Sequence, residues 1–189
     1  MNRFTGPVRL ATRDDIPALD ALIGASMRAL SVGYLSDEQV QAELKFVISP
    51  DSAMIDDGTL FVAVAPDGTL AGMGGWSRRR ALHGGDEFKH THAADLPDTL
   101  VDPRSEAARI RQMFTHPDWA RRGVARSLFE SARAAAEREG FRSLVLTATL
   151  AGIPLYESLG FRIDRRYIDR LPNGIEVPVA EMSRSISPL

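Results

Sequence analysis

The chain has 189 residues, 44% of them hydrophobic and 25% charged, with a formal net charge of −2. Such values suit a single globular domain over residues 1–189 with a real core, and they point to neither nucleic acid nor an anionic membrane as a partner. The absence of cysteine excludes disulfides, thiolate metal ligands and a cysteine nucleophile.

No long apolar run suggests a membrane span, and MNRFTGPVRLATRDD lacks the apolar core of a signal peptide, so a cytoplasmic location is expected. Val8 to Thr12 reads as a short first strand. Thr12 or Asp14 can cap a helix over about Asp15 to Leu30, with Ile16, Leu19, Leu22, Ile23 and Met27 on one side. Ser36-Asp37-Glu38 opens a second helix through Val40, Leu44 and Val47, ended by Pro50. Thr59–Ala65 and Thr69–Trp76 read as a hairpin around the turn Pro66-Asp67-Gly68.

Arg78 to Arg104 has neither helical nor strand period, and a connection of that length in a small domain is usually functional or mobile. Within it, His90 and His92 with Asp86 and Asp95 make only a weak metal pattern, so no metal is expected. The run Arg78-Arg79-Arg80 reads as a solvated face, or as a contact for a carboxylate-bearing substrate. Trp76 reads as core or cleft wall.

Arg109 to Thr115 holds no Gly or Pro and reads as a strand. After the turn His116-Pro117-Asp118, a helix is expected from about Arg122 or Gly123. Val124, Leu128, Ala132, Ala135 and Ala136 share a face, Arg133 and Glu137 form an i,i+4 pair, and Gly140 stands where a left-handed terminator belongs. Leu144–Thr149 reads as a buried strand, and a short helix follows with Pro154 in its first turn and Gly160 closing it. Phe161–Ile168 and Ile175–Ser183 read as the last strands. The final one is a candidate homodimer contact.

The junction Ala120-Arg121-Arg122-Gly123-Val124-Ala125-Arg126 combines a helix N-terminus, small residues and three arginines. It reads equally well as a phosphate site or as an ordinary turn with solvated arginines. No Gly-x-Gly-x-x-Gly follows a strand, and no Gly-x-x-x-x-Gly-Lys-Ser/Thr occurs, so dinucleotide and P-loop readings lack their motifs.

HPDWARRGVARSLF resembles the acyl-CoA-binding motif of the GCN5-related N-acetyltransferases (GNAT), Gln/Arg-x-x-Gly-x-Gly/Ala. Gly123 and Ala125 fall on its small positions, and the first position falls on Ala120, with Arg121 beside it. Downstream, Leu155-Tyr156-Glu157-Ser158-Leu159-Gly160-Phe161 resembles the family's LYExLGF segment. The resemblance implies an α/β fold: a mixed, twisted sheet splayed at the CoA-binding strand, with helices on both faces. It also implies acetyl-CoA as cosubstrate and a small-molecule or peptide amine as acceptor, with the first two helices bordering the acceptor cleft.

Residue by residue, the resemblance assigns the pantetheine arm to the backbone of Met113, Phe114 and Thr115. The phosphates fall to Arg121, Arg122, Gly123, Val124, Ala125 and Arg126. Thr149 stands where the family often has an asparagine that contacts CoA. Tyr156 stands where the family has the acid that protonates the departing thiolate; the bland alternative is a tyrosine packed for shape. By the short helix's period, Tyr156 points about 100° away from a core face of Leu155 and Leu159. No general base stands out, since Asp86, Glu87, His90 and Glu106 are all weak candidates. A non-catalytic acyl-CoA-binding module on the same fold is the alternative to a transferase, and a nucleotide- or phosphometabolite-binding protein is a third reading.

Overall fold

The structure is a computed structural model, which describes residues 3–80, 85–86 and 99–186. The first strand, β1 (Val8–Leu10), leads through a 3-10 turn (Arg13–Asp15) into α1 (Ile16–Leu30). The Asp15 carboxylate accepts the Thr12 backbone N–H at 2.8 Å, so Thr12 caps the turn, and the α-helix proper follows from Ile16 to Leu30, within a residue of the expected start. The buried residues of α1 are Leu19, Leu22, Ile23, Gly24, Ser26 and Met27, largely the expected stripe.

Helix α2 (Asp37–Phe46) is capped by Ser36, whose side chain accepts the Gln39 N–H. Helix α3 (Ser52–Asp56) has no expected counterpart. It is only five residues long, capped by Asp51 and seated by the buried Met54, and a segment that short carries no readable period.

Strands β2 (Leu60–Val64) and β3 (Leu70–Ser77) form the expected hairpin. Then come β4 (Ala108–Thr115), a 3-10 turn (Pro117–Trp119), α4 (Val124–Arg138), β5 (Ser143–Thr149), α5 (Ile153–Ser158), β6 (Arg162–Arg170) and β7 (Glu176–Ser185). Among the described residues, seven strands form one sheet in the order β1-β2-β3-β4-β5-β7-β6. Every pairing is antiparallel except β4 with β5.

Helices α1 and α2 cover one face. There Leu19, Ile23 and Val40 pack with Leu60, Val62 and Met73. Helix α4 covers the other face, with Val124 and Leu128 over Ala63 and Ala71, and Phe129, Ala132 and Ala136 in the cluster that holds Ile110 and Leu144. A Cβ on Gly72 would lie 2.6 Å from Val124 Cγ1, so glycine on β3 is what lets α4 sit this close. Phe129 is a core anchor beyond the expected stripe, and Ala135 is only partly buried. Arg133 bridges Glu130 and Glu137 at 2.9 Å each, and Gly140 has φ +92.

Three sequence expectations change. Strand β5 is buried on alternate residues (Leu144, Leu146, Ala148), and of the half-buried residues between and after them Thr147 and Thr149 line the cavity described below. The final strand, β7, is hydrogen-bonded on both sides, to β5 and β6, so it has no free edge for a homodimer; the outer strand is β6. The run Arg78-Arg79-Arg80 is engaged in ion pairs rather than presented to substrate, although Arg80 stays exposed. Arg79 grips Asp57 with two bonds of 2.8 Å, Arg80 pairs with Glu106 at 2.6 Å, and Arg78 lies over the Trp76 ring near Glu139. Trp76 is core.

Candidate active site

The site begins with a broken ladder. Strands β4 and β5 pair only at Ala108↔Leu144 and Arg109↔Val145, and then diverge. From Ile110 to Thr115, β4 has no ladder partner on β5, which leaves a row of backbone N–H and C=O groups facing a gap. On its other side β4 is bulged: Arg111 stands opposite Gly75 and Phe114 opposite Met73, so Gln112 and Met113 oppose the single residue Gly74. Gln112 takes φ +59, unusual for a residue with a Cβ, and its side-chain amide donates to Ser49 O at 3.2 Å.

A cavity of about 170 Å³ fills the gap. Its β4 wall runs from Ile110 to Phe114; β5 adds Thr147, Ala148 and Thr149, and α5 adds Leu155 and Tyr156 behind Gly152. The far wall is Met27 of α1, Glu43 of α2 with Val47 and Ile48 after it, Asp169 of β6 and Val179 of β7. The cavity therefore gathers Met113, Phe114, Thr149 and Tyr156. It does not include Thr115 or the turn 121–126, which lie beyond this wall.

At that turn Gly123 is the N-cap of α4 with φ +90, and Arg121 has φ +62. Ser127 N–H donates to Gly123 O at 3.0 Å, so the N–H groups of Val124, Ala125 and Arg126 precede the first helical bond. The Val124 side chain is core, which leaves only its N–H for a ligand. The Arg122 guanidinium lies 5.0 Å from the centre of the Trp119 ring, and its carbonyl accepts Phe4 N–H at 2.8 Å. Arg126 reaches Ser158 O at 3.2 Å and ties α4 to the end of α5, while Arg121 is exposed.

Tyr156 corrects the sequence reading. Ile153, Tyr156 and Leu159 form the buried side of α5, and Leu155 is the half-buried cavity residue. A six-residue helix is too short for two apolar positions to define its inner face. The large ring wins that place, edge-on to Phe161 at 5.8 Å. Tyr156 is thus both packed and cavity-lining. Burial pushes its phenol above the ordinary value, which keeps it a proton donor at neutral pH.

Two of the weak base candidates, Asp86 and Glu106, have other roles. Asp86 accepts the Ser52 N–H with both oxygens at 3.2 Å, and Glu106 holds Arg80 and the Asp102 N–H. Glu87, His90, His92 and Asp95 lie outside the described residues. No group of metal-ligating side chains gathers among the described residues.

Two buried features escaped the sequence reading. Arg111 pairs with Asp51 at 2.9 Å, with side chains 1% and 0% exposed. Burial pulls Arg111 below the usual guanidinium value, and Asp51 opposes that pull. Glu43 is 4% exposed, and burial, with the charge of Asp169, pushes its carboxyl up to about 7. Its signal was present: it lies three residues after Val40 and four before Val47, on the buried stripe of α2.

An acetyltransferase (GNAT) domain model matches residues 56–163. Among solved structures, the chain is similar to a GCN5-related N-acetyltransferase from Rhodopseudomonas palustris, with 20% identity over 98% of both chains and a TM-score of 0.70. The yncA protein of Salmonella typhimurium, solved with acetyl-CoA, shares 16% identity over 98% of this chain and 96% of its own, with a TM-score of 0.61. The PaiA N-acetyltransferase of Thermoplasma acidophilum, solved in complex with coenzyme A, shares 12% over 95% and 98%, also at 0.61. Comparison with curated proteins finds no match. At these identities the solved structures speak to the fold, a mixed sheet opened between β4 and β5 with helices on both faces. The family model spans more than half of the sequence, and the chain belongs to the GNAT acetyltransferase family.

Proposed function

We propose that the protein is an acetyl-CoA-dependent N-acetyltransferase, in which a primary amine on a small molecule or peptide attacks the thioester directly. The observation that carries this reading is the unpaired edge of β4 beside a cavity that also holds Tyr156. A pantetheine arm carries two amides and needs such an edge. Its pyrophosphate needs an anion site further on, and the free N–H groups of Val124, Ala125 and Arg126 with the nearby arginines suit one.

In this reading Met113, Phe114 and Thr115 hold the arm through their backbones, and the bulge at Gln112 turns an N–H toward the thioester carbonyl. That donor stabilises the oxyanion as the amine attacks. Thr149, across the gap, offers a hydroxyl to the cosubstrate. The Tyr156 phenol protonates the sulfur as the C–S bond breaks. The wild-type protein should be stabilised against heat by coenzyme A, but not by ATP or NAD, and should release thiol from acetyl-CoA only when an amine is present. Coenzyme A binding without amine-dependent thiol release would make it a binding module instead. Gly123→Glu places bulk and negative charge at the anion turn, and should cut coenzyme A affinity at least about 100-fold in a folded protein. Unchanged affinity would remove the turn from the site.

A further inference from the structure

Glu43 is a carboxyl with no hydrogen bond or ion pair among the described residues, carried on a nearly fully buried residue. A buried acid normally finds a partner or remains neutral. Here Glu43 lines the cavity, together with residues of the diverging β4 and β5. Asp169 of β6 lines the same wall, and the two carboxyls repel. The other titratable groups on the cavity are Arg111 of β4, already paired with Asp51, and Tyr156 of α5. The cavity-facing residues of α1, β5 and β7 among those described (Met27, Thr147, Ala148, Thr149, Val179) carry no charge.

We propose that Glu43 is the proton acceptor for the incoming amine, and that with Asp169 it selects an aliphatic ammonium over acceptors that carry a carboxylate. The proposal rests on the acetyl-transfer reading above. With the donor arm along β4, an acceptor reaches the thioester from the α1, α2 and β6 side, and its nitrogen passes these two carboxyls. An alkyl ammonium keeps its proton until about pH 10, so at neutral pH it cannot attack until a base removes one. Glu43 takes that proton, and the freed lone pair forms the C–N bond. The C–S bond then breaks with its electron pair on sulfur, which takes the Tyr156 proton. The second nitrogen proton restores the phenol through water, and Glu43 returns its own proton to solvent. The products are the amide, the thiol and one released proton. A carboxyl poised near neutrality suits this task better than one at the ordinary glutamate value. Asp169 is a positioning residue here: burial does most to raise Glu43, and the Asp169 charge adds to it.

The test compares butylamine, 1,4-diaminobutane and 4-aminobutanoate as acceptors, with coenzyme A affinity measured separately. The wild type should accept both amines, disfavour 4-aminobutanoate by about tenfold or more in kcat/KM, and lose kcat below about pH 7. Glu43→Gln should lower kcat by about 10²- to 10⁴-fold, abolish the acid limb and leave coenzyme A affinity unchanged. Asp169→Asn should move the limb to lower pH and shrink the discrimination. A Glu43→Gln enzyme that keeps its rate or its acid limb overturns the proposal while leaving acetyl transfer intact; so does equal use of butylamine and 4-aminobutanoate. A wild type that binds coenzyme A yet acetylates none of the three overturns the aliphatic-ammonium proposal, and thiol release with peptide amines then decides the acetyl-transfer reading. Should Glu43→Gln fail to fold, an acid limb unmoved in Asp169→Asn overturns it alone.

Discussion

The two ends of the cavity are built by different chemistry. On the acetyl-transfer reading proposed above, the donor end is made of backbone: the edge of β4 that diverges from β5 and, beyond it, the first N–H groups of α4 behind Gly123. The acceptor end on the same reading is made of side chains, with Glu43 on α2 and Asp169 on β6 lining the cavity and the pair Arg111–Asp51 joining β4 to the segment after α2. Backbone chemistry serves any acyl-CoA and demands only small residues and a positive φ. Side-chain chemistry demands particular charges from elements far apart in the chain. One end suits a shared cosubstrate, the other a particular acceptor.

The largest expected effect sharpens that division from the middle of the cavity. Tyr156→Phe keeps the ring against Phe161 and removes only the proton, so kcat should fall by about 10²- to 10⁴-fold with coenzyme A affinity little changed. Because burial raises this phenol, the wild-type kcat should show no alkaline loss from Tyr156 until well past its ordinary value of 10. Tyr167, which shares a hydrogen bond with Thr147 at 3.3 Å, is the control. Near-full kcat in Tyr156→Phe, with chemistry rate-limiting, would leave the residue a packing role only.

Next comes the frame of the acceptor end. Asp51→Ala leaves the Arg111 charge buried beside the cavity, and urea unfolding should show a loss of about 3–5 kcal/mol. A loss under about 1 kcal/mol would mean that the pair is no frame at all.

Glu43 should also register in stability. Its folded-state pKa is raised, so the contribution is complete below the ordinary glutamate value of 4.5 and is lost as pH climbs through about 7. Relative to wild type, Glu43→Gln should therefore gain about 2–3 kcal/mol on going from pH 4 to pH 8. An unchanged difference between the two pH values would put the carboxyl in water and erase the contrast between the ends. The smallest effect belongs to the exposed donor end: Arg126→Ala should weaken coenzyme A about two- to fivefold at low salt, and less at high salt. A salt-independent loss would assign Arg126 to its contact with Ser158 O instead.

Short-range physics writes part of this molecule into neighbouring residues, where it can be read directly. The hairpin, the amphipathic α4 with its left-handed terminator Gly140, and the small-residue turn at Gly123 all follow from local period and backbone sterics. The turn at Gly123 and the start of α4 also carry the first family motif. Tertiary structure alone decided the rest. The insertion of β7 between β5 and β6 took the final strand off the edge, and no local signal encodes strand order. The burial of Tyr156 depended on which side of a six-residue helix met Phe161 and the core. Arg78, Arg79 and Arg80 found Glu139, Asp57 and Glu106, partners that no spacing predicts. Glu43 and Asp169 became one wall only when α2 packed across the sheet toward β6, because electrostatic and desolvation effects depend on distance through space rather than along the chain.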